Sequence, residues 1–324
     1  MNNSIVTLGD PVADLIVPVS HLPIQAQEHQ SAEDIILEAG GTGNFLIIAA
    51  RLGLNPTALG AVGKDYYGKR ILELLNGEKI DVDYVVSQSG STTSISIGLV
   101  SEGDDHVFLW KRPTGPTIIY QSNWHNIIKN AGALFTAGHA LDPGALFGPE
   151  TVVSCLEIGR QQQIPIFFDL GPAAFISDRS YIEQTIDYAN VILATQEEAT
   201  GWLGISDPLS AAHEFLDQGL TEVIIKLGPD GCLMVNHQEQ VRIPAYEVEI
   251  RNAAAAGDAF AAGCVYGFLS NYTLQQIGQL ANAIGAASVS KLGTGTMLPQ
   301  RNEIIELLSA VEDHPMTYDY DSTN

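Results

Sequence analysis

Strand-like and helix-like segments alternate along most of this chain, and that alternation constrains the fold more than any other feature. The predicted strands are residues 5–8, 55–60, 131–136, 164–169, 191–194 and 222–227. The predicted helices between them are residues 45–52, 66–76, 149–162, 178–188 and 208–218. This order predicts a mostly parallel sheet covered by helices on both faces. The C-terminal third then becomes mostly helical, at residues 257–269, 274–290 and 301–312.

Two stretches depart from the alternation. Residues 15–38 have strand-like ends without a helical period, and residues 94–111 alternate like a hairpin around the turn 102–105. We expect them to pair as a small β-lid over one edge of the main domain, the alternative being two surface excursions without a function. The predicted organisation is a large domain (1–14, 39–93 and 113–313), a lid (15–38 and 94–112) and a flexible tail (314–324).

Charge and composition exclude several classes of function. The chain has 15 Lys and Arg against 38 Asp and Glu, a net charge of −23, so we expect neither nucleic acid nor an anionic membrane as a partner. A hydrophobic content of 45% is that of a globular protein with an ample core.

The ends and the cysteines indicate the compartment. No basic start precedes an apolar run at the N-terminus, and no run approaches the roughly 18 apolar residues of a membrane span. The three cysteines, Cys155, Cys232 and Cys264, are far apart and suit buried thiols in a reducing environment. We therefore expect a cytoplasmic protein.

Residues 252–260 contain the most informative local pattern. A run of small residues ends in Gly257-Asp258 and opens directly into an apolar helix. The first backbone N–H groups of a helix lack partners within it, and small side chains let an anion such as a phosphate approach them. Because a carboxylate repels a phosphate, Asp258 is better suited to accept a proton from a hydroxyl that attacks the phosphorus. The alternative is an N-capping Asp on a buried helix.

Two further patterns suit a small polyol. Gly40, Gly41 and Asn44 precede the helix at 45–52, where glycines let the backbone approach a ligand and an amide can bond hydroxyls. Asp14 follows the first strand, near the edge where parallel sheets bind ligands. The alternatives are a tight turn and a turn-forming Asp, respectively.

Three other features are less specific. Gly63, Gly68 and Lys69 approximate a Walker A loop, but Arg70 stands where a Ser or Thr is needed, so we treat the match as accidental. Glu198 follows a strand and suits a hard cation, although acids at a helix start are favoured by the helix dipole alone. Lys111 and Arg112 suit either solvent or an anionic group of a substrate.

Taken together, these segments resemble the ribokinase-like, or PfkB-type, carbohydrate kinases from residue 5 to residue 308. The family's second signature, Asp-Thr-Thr-Gly-Ala-Gly-Asp, corresponds to 252–258, where Ala256, Gly257 and Asp258 match while Asn252, Ala253, Ala254 and Ala255 differ. Its first signature corresponds to 40–53, with one residue fewer between the Gly pair and Asn44. The other matching segments are 60–68, 169–172, 195–198 (with Thr195 for the usual Asn), 226–231, Asn282 and 293–295.

The resemblance implies a three-layer α/β/α fold with a central, mostly parallel sheet and a small β-sheet lid. It also implies an ATP-dependent sugar kinase that uses Mg²⁺, and it leaves the use of a monovalent cation such as K⁺ open. The implied roles are Asp258 as the base, with the backbone of Ala255, Ala256 and Gly257 as the anion hole; Asp14, Gly40, Gly41 and Asn44 at the sugar; Thr195, Lys226, Gly228, Gly231, Asn282 and Gly293 at the nucleotide; and Glu198 at the metal.

Alternatives stay open at this point. A nucleoside kinase on the same scaffold would differ only in the pocket under the lid. A catalytically decayed sugar- or nucleotide-binding regulatory protein is the second, because Asn252, Ala253, Ala254 and Thr195 depart from the family pattern. A nicotinamide dehydrogenase is set aside, since no Gly-x-Gly-x-x-Gly follows the first strand. The expected partner is a small sugar or nucleoside, and a homodimer through an exposed lid edge is also open.

Overall fold

The central element is a nine-stranded sheet. The computed structural model describes residues 2–32, 34–101, 106–172, 176–309 and 314–316. The sheet strands are β1 (Ser4–Leu8), β4 (Asn55–Gly63), β5 (Val85–Gln88), β8 (Ala133–Ala137), β9 (Ile166–Asp169), β10 (Val191–Thr195), β11 (Glu222–Lys226), β12 (Cys232–Asn236) and β13 (Gln240–Ile243). Their order is β13-β12-β11-β10-β9-β8-β1-β4-β5. Every neighbouring pair from β11 to β5 is parallel, and β12 and β13 extend one side antiparallel.

Helices cover both faces of this sheet. They are α1 (Thr42–Leu52), α2 (Tyr66–Gly77), α3 (Trp124–Lys129), α4 (Pro149–Gln161), α5 (Arg179–Tyr188), α6 (Gln196–Leu203), α7 (Pro208–Asp217), α8 (Ala256–Leu269), α9 (Leu274–Val289) and α10 (Arg301–Leu308). None of the helices in the described part of the chain has the length and apolar character needed to cross a bilayer.

Alternate strand residues point to opposite layers of the core, as the two-residue period of a strand requires. Ile5 of β1 and Phe167 of β9 pack with α1, α8, α9 and α10. Val6 of β1 and Phe168 of β9 pack on the other face, with α3 to α7. The strands are therefore apolar on both sides, which is why they read as continuous hydrophobic runs, and the predicted three-layer α/β/α architecture is confirmed.

A separate four-stranded sheet forms the lid. Its strands are β2 (Pro11–Pro18), β3 (Ile36–Gly41), β6 (Ile95–Val100) and β7 (His106–Lys111), in the order β3-β2-β6-β7. The 94–111 stretch forms an antiparallel pair, and it joins the 15–38 stretch through β2 and β6. The predicted turn at 102–105 lies outside the described residues. Asp14 lies inside β2, so its alternative interpretation as a turn-forming residue is wrong.

Some elements were not predicted from the sequence. The strand β5 has 4 residues and the helix α3 has 6, too few to establish a period. The β12–β13 hairpin breaks the strand–helix alternation on which the prediction depended. Residues 310–312 of the last predicted helix, and 317–324 of the predicted tail, lie outside the described residues. Within that tail His314 and Met316 are buried, with His314 beside the ring of Tyr272.

Candidate active site

Charged side chains collect where the parallel strands end. Asp10 lies just beyond β1, β9 ends at Asp169, and β11 ends at Lys226. Because these strands are parallel, their carboxyl ends lie on one edge of the sheet. The helix α8 begins at the same edge, since the Nζ of Lys226 lies 3.6 Å from where a Cβ of Gly257 would stand.

The start of α8 has no side-chain cap, and the N–H of Ala256 makes only a long bond of 3.4 Å to the carbonyl of Ala253. The N-cap residue of α8, Ala255, has a φ of +63° in the left-handed region. Ala256 and Gly257 follow in the first turn, and neither has a side chain that could screen the N–H groups. The helix dipole adds partial positive charge here. The predicted anion hole is thus an uncapped helix start.

Asp258 lies in this first turn and is half-buried. Burial raises its pKa to about 7; a hydrogen bond from Asn44 and the charge of Lys226 lower it, while Asp169 raises it. The Asn44 Nδ2 donates to Asp258 Oδ2 at 3.0 Å. A carboxylate with a pKa near neutrality is a better proton acceptor than an ordinary Asp and is still substantially ionised at pH 7.

Lys226 is the cation nearest to this carboxylate. Its Nζ donates to both carboxylate oxygens of Asp169 at 2.8 Å. Burial alone would lower the pKa of Lys226, but the carboxylates of Asp169, Glu198 and Asp258 outweigh it and raise the pKa. The amine therefore stays charged beside the start of α8, where an anion would be bound.

Asn44 joins three parts of the site. While its Nδ2 donates to Asp258, its Oδ1 accepts from the backbone N–H of Gly295 at 2.9 Å. The same 294–299 segment is held by Glu38 of the lid, which accepts from the N–H and the hydroxyl of Thr296. Arg51 of α1 donates to Thr296 O at 2.9 Å and to Leu298 O. This network connects the lid, α1 and α8.

Asp14 projects from β2 into the space above this network. Burial raises its pKa to about 7; the Thr294 hydroxyl lowers it, whereas Asp258 and Glu38 raise it. A Cβ at Gly40 would collide with the Asp14 carboxylate, so a larger residue there would displace that side chain. Gly41 caps the start of α1 directly after it. The structure thus brings Asp14, Gly40, Gly41 and Asn44 close to Asp258.

A cavity of about 380 Å³ opens between the lid and the sheet edge, and Asp10, Asp14, Gly41 and His139 contribute to its lining. Asp10 accepts from the N–H groups of Ala61, Leu146 and Phe147, and it thus connects β4 to the loop before α4. Its burial raises its pKa to about 6, against the lowering effect of these three donors. The volume suits a small organic ligand.

The predicted nucleotide-side residues lie mainly in backbone-ordering positions. Thr195 and Glu198 form a capping box at α6, in which each side chain accepts from the other's backbone N–H. Asn282 is buried and donates to the carbonyls of Ile243 and Pro244. Gly228 opens the turn after β11, and Gly231 has a φ of +89° and lies so close to Ile243 that no Cβ would fit. Nucleotide contacts of these residues, and of Gly293 beside Met297, stay predictions.

Metal binding by side chains alone is not favoured. In the part of the chain that the structure describes, no three His, Cys, Asp or Glu side chains are grouped to hold a metal ion. Glu198 uses Oε2 in its capping box, and Lys226 contacts both oxygens of Asp169. A Mg²⁺ ion here would therefore bring most of its oxygen ligands with it, as nucleotide phosphates and water do.

Sequence reasoning assigned no role to Asp10, Glu38 or His139. Asp10 could have been predicted from the sequence, since it is an acid directly after the first strand. Glu38 and His139 could not have been predicted, because their importance depends on contacts that are distant in sequence.

A larger cavity of about 600 Å³ lies at the amino ends of β9 to β11, by Phe167, Val191 and Glu222, and so on the opposite edge from Asp258.

The left-handed conformation of Ala255 generates a prediction. Because a Cβ is disfavoured at this φ by about 1 kcal/mol, Ala255→Gly should raise the free energy of unfolding by up to that amount. Ala261→Gly, in the buried middle of the same helix, should lower it by at least a similar amount. Urea unfolding of both variants measures the difference. A loss of stability in Ala255→Gly would contradict the assigned backbone conformation.

Comparisons with known proteins agree with this geometry. The family described as "pfkB family carbohydrate kinase" matches residues 2–301. An ATP-dependent 6-phosphofructokinase from Thermoanaerobacterium thermosaccharolyticum is 25% identical, over 82% of this chain and 83% of that protein. The ribokinase of Mus musculus is 24% identical, over 93% of each protein.

A solved structure shows the same fold. The Arabidopsis thaliana ribokinase complexed with ribose and ATP superposes with a TM-score of 0.81 at 19% identity, over 95% of this chain and 99% of that chain. The family match extends over nearly the whole sequence. This chain is thus a phosphotransferase with an alcohol group as acceptor, as its sequence predicted, and it belongs to the pfkB family of carbohydrate kinases.

Proposed function

We propose that this protein transfers the γ-phosphate of ATP to a primary hydroxyl of a small carbohydrate. The observation that carries the proposal is the position of Asp258, half-buried in the first turn of an uncapped helix with Lys226 beside it. An uncapped helix start, a proton acceptor and a cation therefore lie close together. That combination suits phosphoryl transfer better than binding alone.

The acceptor is held from the lid side. Asp14 accepts hydrogen bonds from sugar hydroxyls, and the backbone at Gly40 and Gly41 approaches the sugar closely. Asn44 both contacts the sugar and orients Asp258, since its Nδ2 already donates to Oδ2. The lid covers the site and limits the access of water, which would otherwise compete with the sugar for the phosphoryl group.

The chemical step follows from this placement. The acceptor oxygen bonds to the γ-phosphorus as the bond from that phosphorus to the bridging oxygen breaks, and ADP leaves. The acceptor proton passes to Asp258. The N–H groups of Ala255, Ala256 and Gly257 and the amine of Lys226 stabilise the charge on the transferred group. Because proton loss is late in a loose transition state, a carboxylate with a pKa near 7 suffices as base.

The nucleotide lies on the β11 side of Asp258. Thr195, Lys226, Gly228, Gly231, Asn282 and Gly293 form or order its site. Mg²⁺ would supply charge neutralisation at the phosphates, and Glu198, at the start of α6, would support it indirectly. The burial of Glu198 raises its pKa, against the lowering effect of Lys226. A requirement for K⁺ stays a prediction from the family resemblance.

The turn before α8 keeps its hydrogen bonds although Asn252 differs from the family signature. Asn252, in place of the family's Asp, is buried and accepts from the N–H of Ala254 at 2.9 Å. Its amide donates to the carbonyl of Leu292 at 2.8 Å. It thus secures the turn before α8 with its own side chain. A turn held in this way favours an active kinase over a decayed one.

Replacing the base tests the proposal. Asp258→Asn should lower kcat by about 10²- to 10⁴-fold, because the amide keeps the shape but cannot take the proton. The KM values should change much less, since neither substrate depends on the proton transfer for binding. ADP release from Mg·ATP in the presence of a sugar panel is the measurement.

The matched control is Asp217→Asn, which removes an exposed carboxylate at the end of α7 and should leave kcat within about twofold. Unchanged turnover in Asp258→Asn would exclude Asp258 as the base. Circular dichroism of each variant separates loss of chemistry from loss of fold.

We also propose a homodimer formed through the lid. The strand β7 pairs with β6 on one side, and it exposes Val107, Phe108, Leu109 and Trp110 by 42–56%. An edge strand with apolar side chains on both faces is a favourable surface for a second copy. The isologous pairing of two lids would bury these residues.

The oligomeric state tests the proposed dimer through the lid. Wild-type protein should sediment as a dimer at micromolar concentration, and Leu109→Lys should shift it towards the monomer, because the substitution places a charge in the apolar contact. Ile119→Lys, at a residue 81% exposed elsewhere, is the control and should remain dimeric. A wild-type monomer in sedimentation analysis would exclude the lid dimer.

A further inference from the structure

The charge of the cavity under the lid narrows the class of acceptor. The two carboxylates Asp10 and Asp14 lie in its lining, together with the hydroxyls of Ser94 and Ser96. Its apolar side includes Trp110 and Ile176. The indole N–H of Trp110 donates to Ser94 Oγ at 2.9 Å, which fixes the ring. The cavity thus combines acids, hydroxyls and an apolar wall.

The acids in and around this cavity already repel one another. Burial and the neighbouring charges of Asp258 and Glu38 raise the pKa of Asp14, against the lowering effect of Thr294. Burial raises the pKa of Asp10 in the same way. A phosphate or a carboxylate on the acceptor would add a further negative charge at close range, in a site that excludes part of the water.

The cationic side chains near the cavity bind other groups of the protein. Arg112 lies 5.4 Å from the ring centroid of Trp110, beside the cavity lining, but it donates through Nε and Nη2 to the buried carboxylate of Asp142. Lys111 donates to Thr92 Oγ1 at 2.9 Å. Lys226 is held by Asp169 on the nucleotide side. Among the described residues, therefore, no Lys or Arg lines the cavity.

His139 and the sequences of two segments outside the described residues supply no positive charge either. His139 lines the cavity, but burial lowers its pKa in spite of Asp169, so its ring is uncharged at neutral pH. The segments 102–105 and 173–175 lie outside the described residues, and their sequences contain three acids and no Lys or Arg. The cation beside the lining, Arg112, is thus already neutralised by Asp142, and an anionic acceptor would find no Lys or Arg in the lining itself.

We infer that the acceptor is an uncharged polyhydroxy compound and that the cavity discriminates against sugar phosphates and sugar acids. This inference rests on the proposed kinase function and narrows its substrate class. It separates the chain from the relative named as a 6-phosphofructokinase, whose name refers to a phosphorylated sugar. An uncharged sugar and a nucleoside share the chemistry that the cavity recognises, so the test includes both.

The experiment compares acceptors that each carry a free primary hydroxyl. The neutral compounds are D-fructose, D-ribose and inosine, and the anionic ones are D-fructose 6-phosphate and D-gluconate. Turnover is followed as ADP release, and binding is followed separately by calorimetry with a non-hydrolysable ATP analogue present. We expect kcat/KM for at least one neutral compound to exceed that of either anion by about 100-fold or more, because close like charges are costly.

A variant with an added charge tests the cause. Ser96 is the register partner of Asp14 on the neighbouring strand, so Ser96→Lys places a cation in the cavity. The preference for fructose over fructose 6-phosphate should fall about 10-fold relative to Ser96→Gln, which has a similar length and no charge. An unchanged preference would overturn the electrostatic explanation.

The two readouts separate this inference from the proposed function. Preferred turnover or tighter binding of an anionic acceptor would overturn the inference and leave the kinase function standing. Binding of a neutral compound without any ADP release would contradict the kinase function and uphold the neutral specificity of the cavity. Binding of none of the five compounds would overturn the inference.

Discussion

The partial burial of the Asp258 carboxylate at the start of α8 is the constraint on which the rest of the site depends. A carboxylate removed from water must be compensated, and here the compensation comes from the Asn44 amide and the nearby Lys226 amine. Asn44 belongs to α1 and also holds Gly295, while Lys226 ends β11 and contacts Asp169 at the end of β9. The position of one side chain therefore links two helices, a loop and two strands of the sheet. Any displacement of α1 or β11 would alter the pKa of Asp258 as well as its geometry.

The site contains more negatively than positively charged side chains, and this imbalance affects which acceptor it binds. Asp10, Asp14 and Asp258 all have raised pKa values because burial disfavours their charged forms. Such groups lower stability when they ionise, a common cost of catalytic sites. Sugar hydroxyls donate hydrogen bonds to carboxylates, so an uncharged polyol would relieve part of that cost. An anionic acceptor would increase it, and this is why the charge of the cavity bears directly on specificity.

The sequence predicts the parallel sheet, its covering helices and the position of Asp258, because those features depend on local periodicity and on small residues at a helix start. It does not predict the pairing of Asn44 with Asp258, which joins residues 214 positions apart. Nor does it show that Glu198 and Thr195 cap each other, or that Asn282 holds the backbone after β13. Family patterns mark such residues without stating what they touch. The hairpin of β12 and β13 was missed for a related reason, since its antiparallel pairing interrupts an otherwise regular alternation.

The most direct measurement is the titration of the Asp258 carboxyl group by carbon-13 NMR, with Asp258→Asn used to assign its resonance. We expect a midpoint near pH 7, because burial raises the pKa of Asp258 to about 7. We also expect a higher midpoint in Asn44→Ala, since the Asn44 hydrogen bond lowers the pKa by favouring the charged form. A midpoint at about 4, the value of an unperturbed Asp, that does not move in Asn44→Ala would contradict the account. Asp258 would then be an ordinary exposed acid, and the partly buried base at the start of α8 would have to be abandoned.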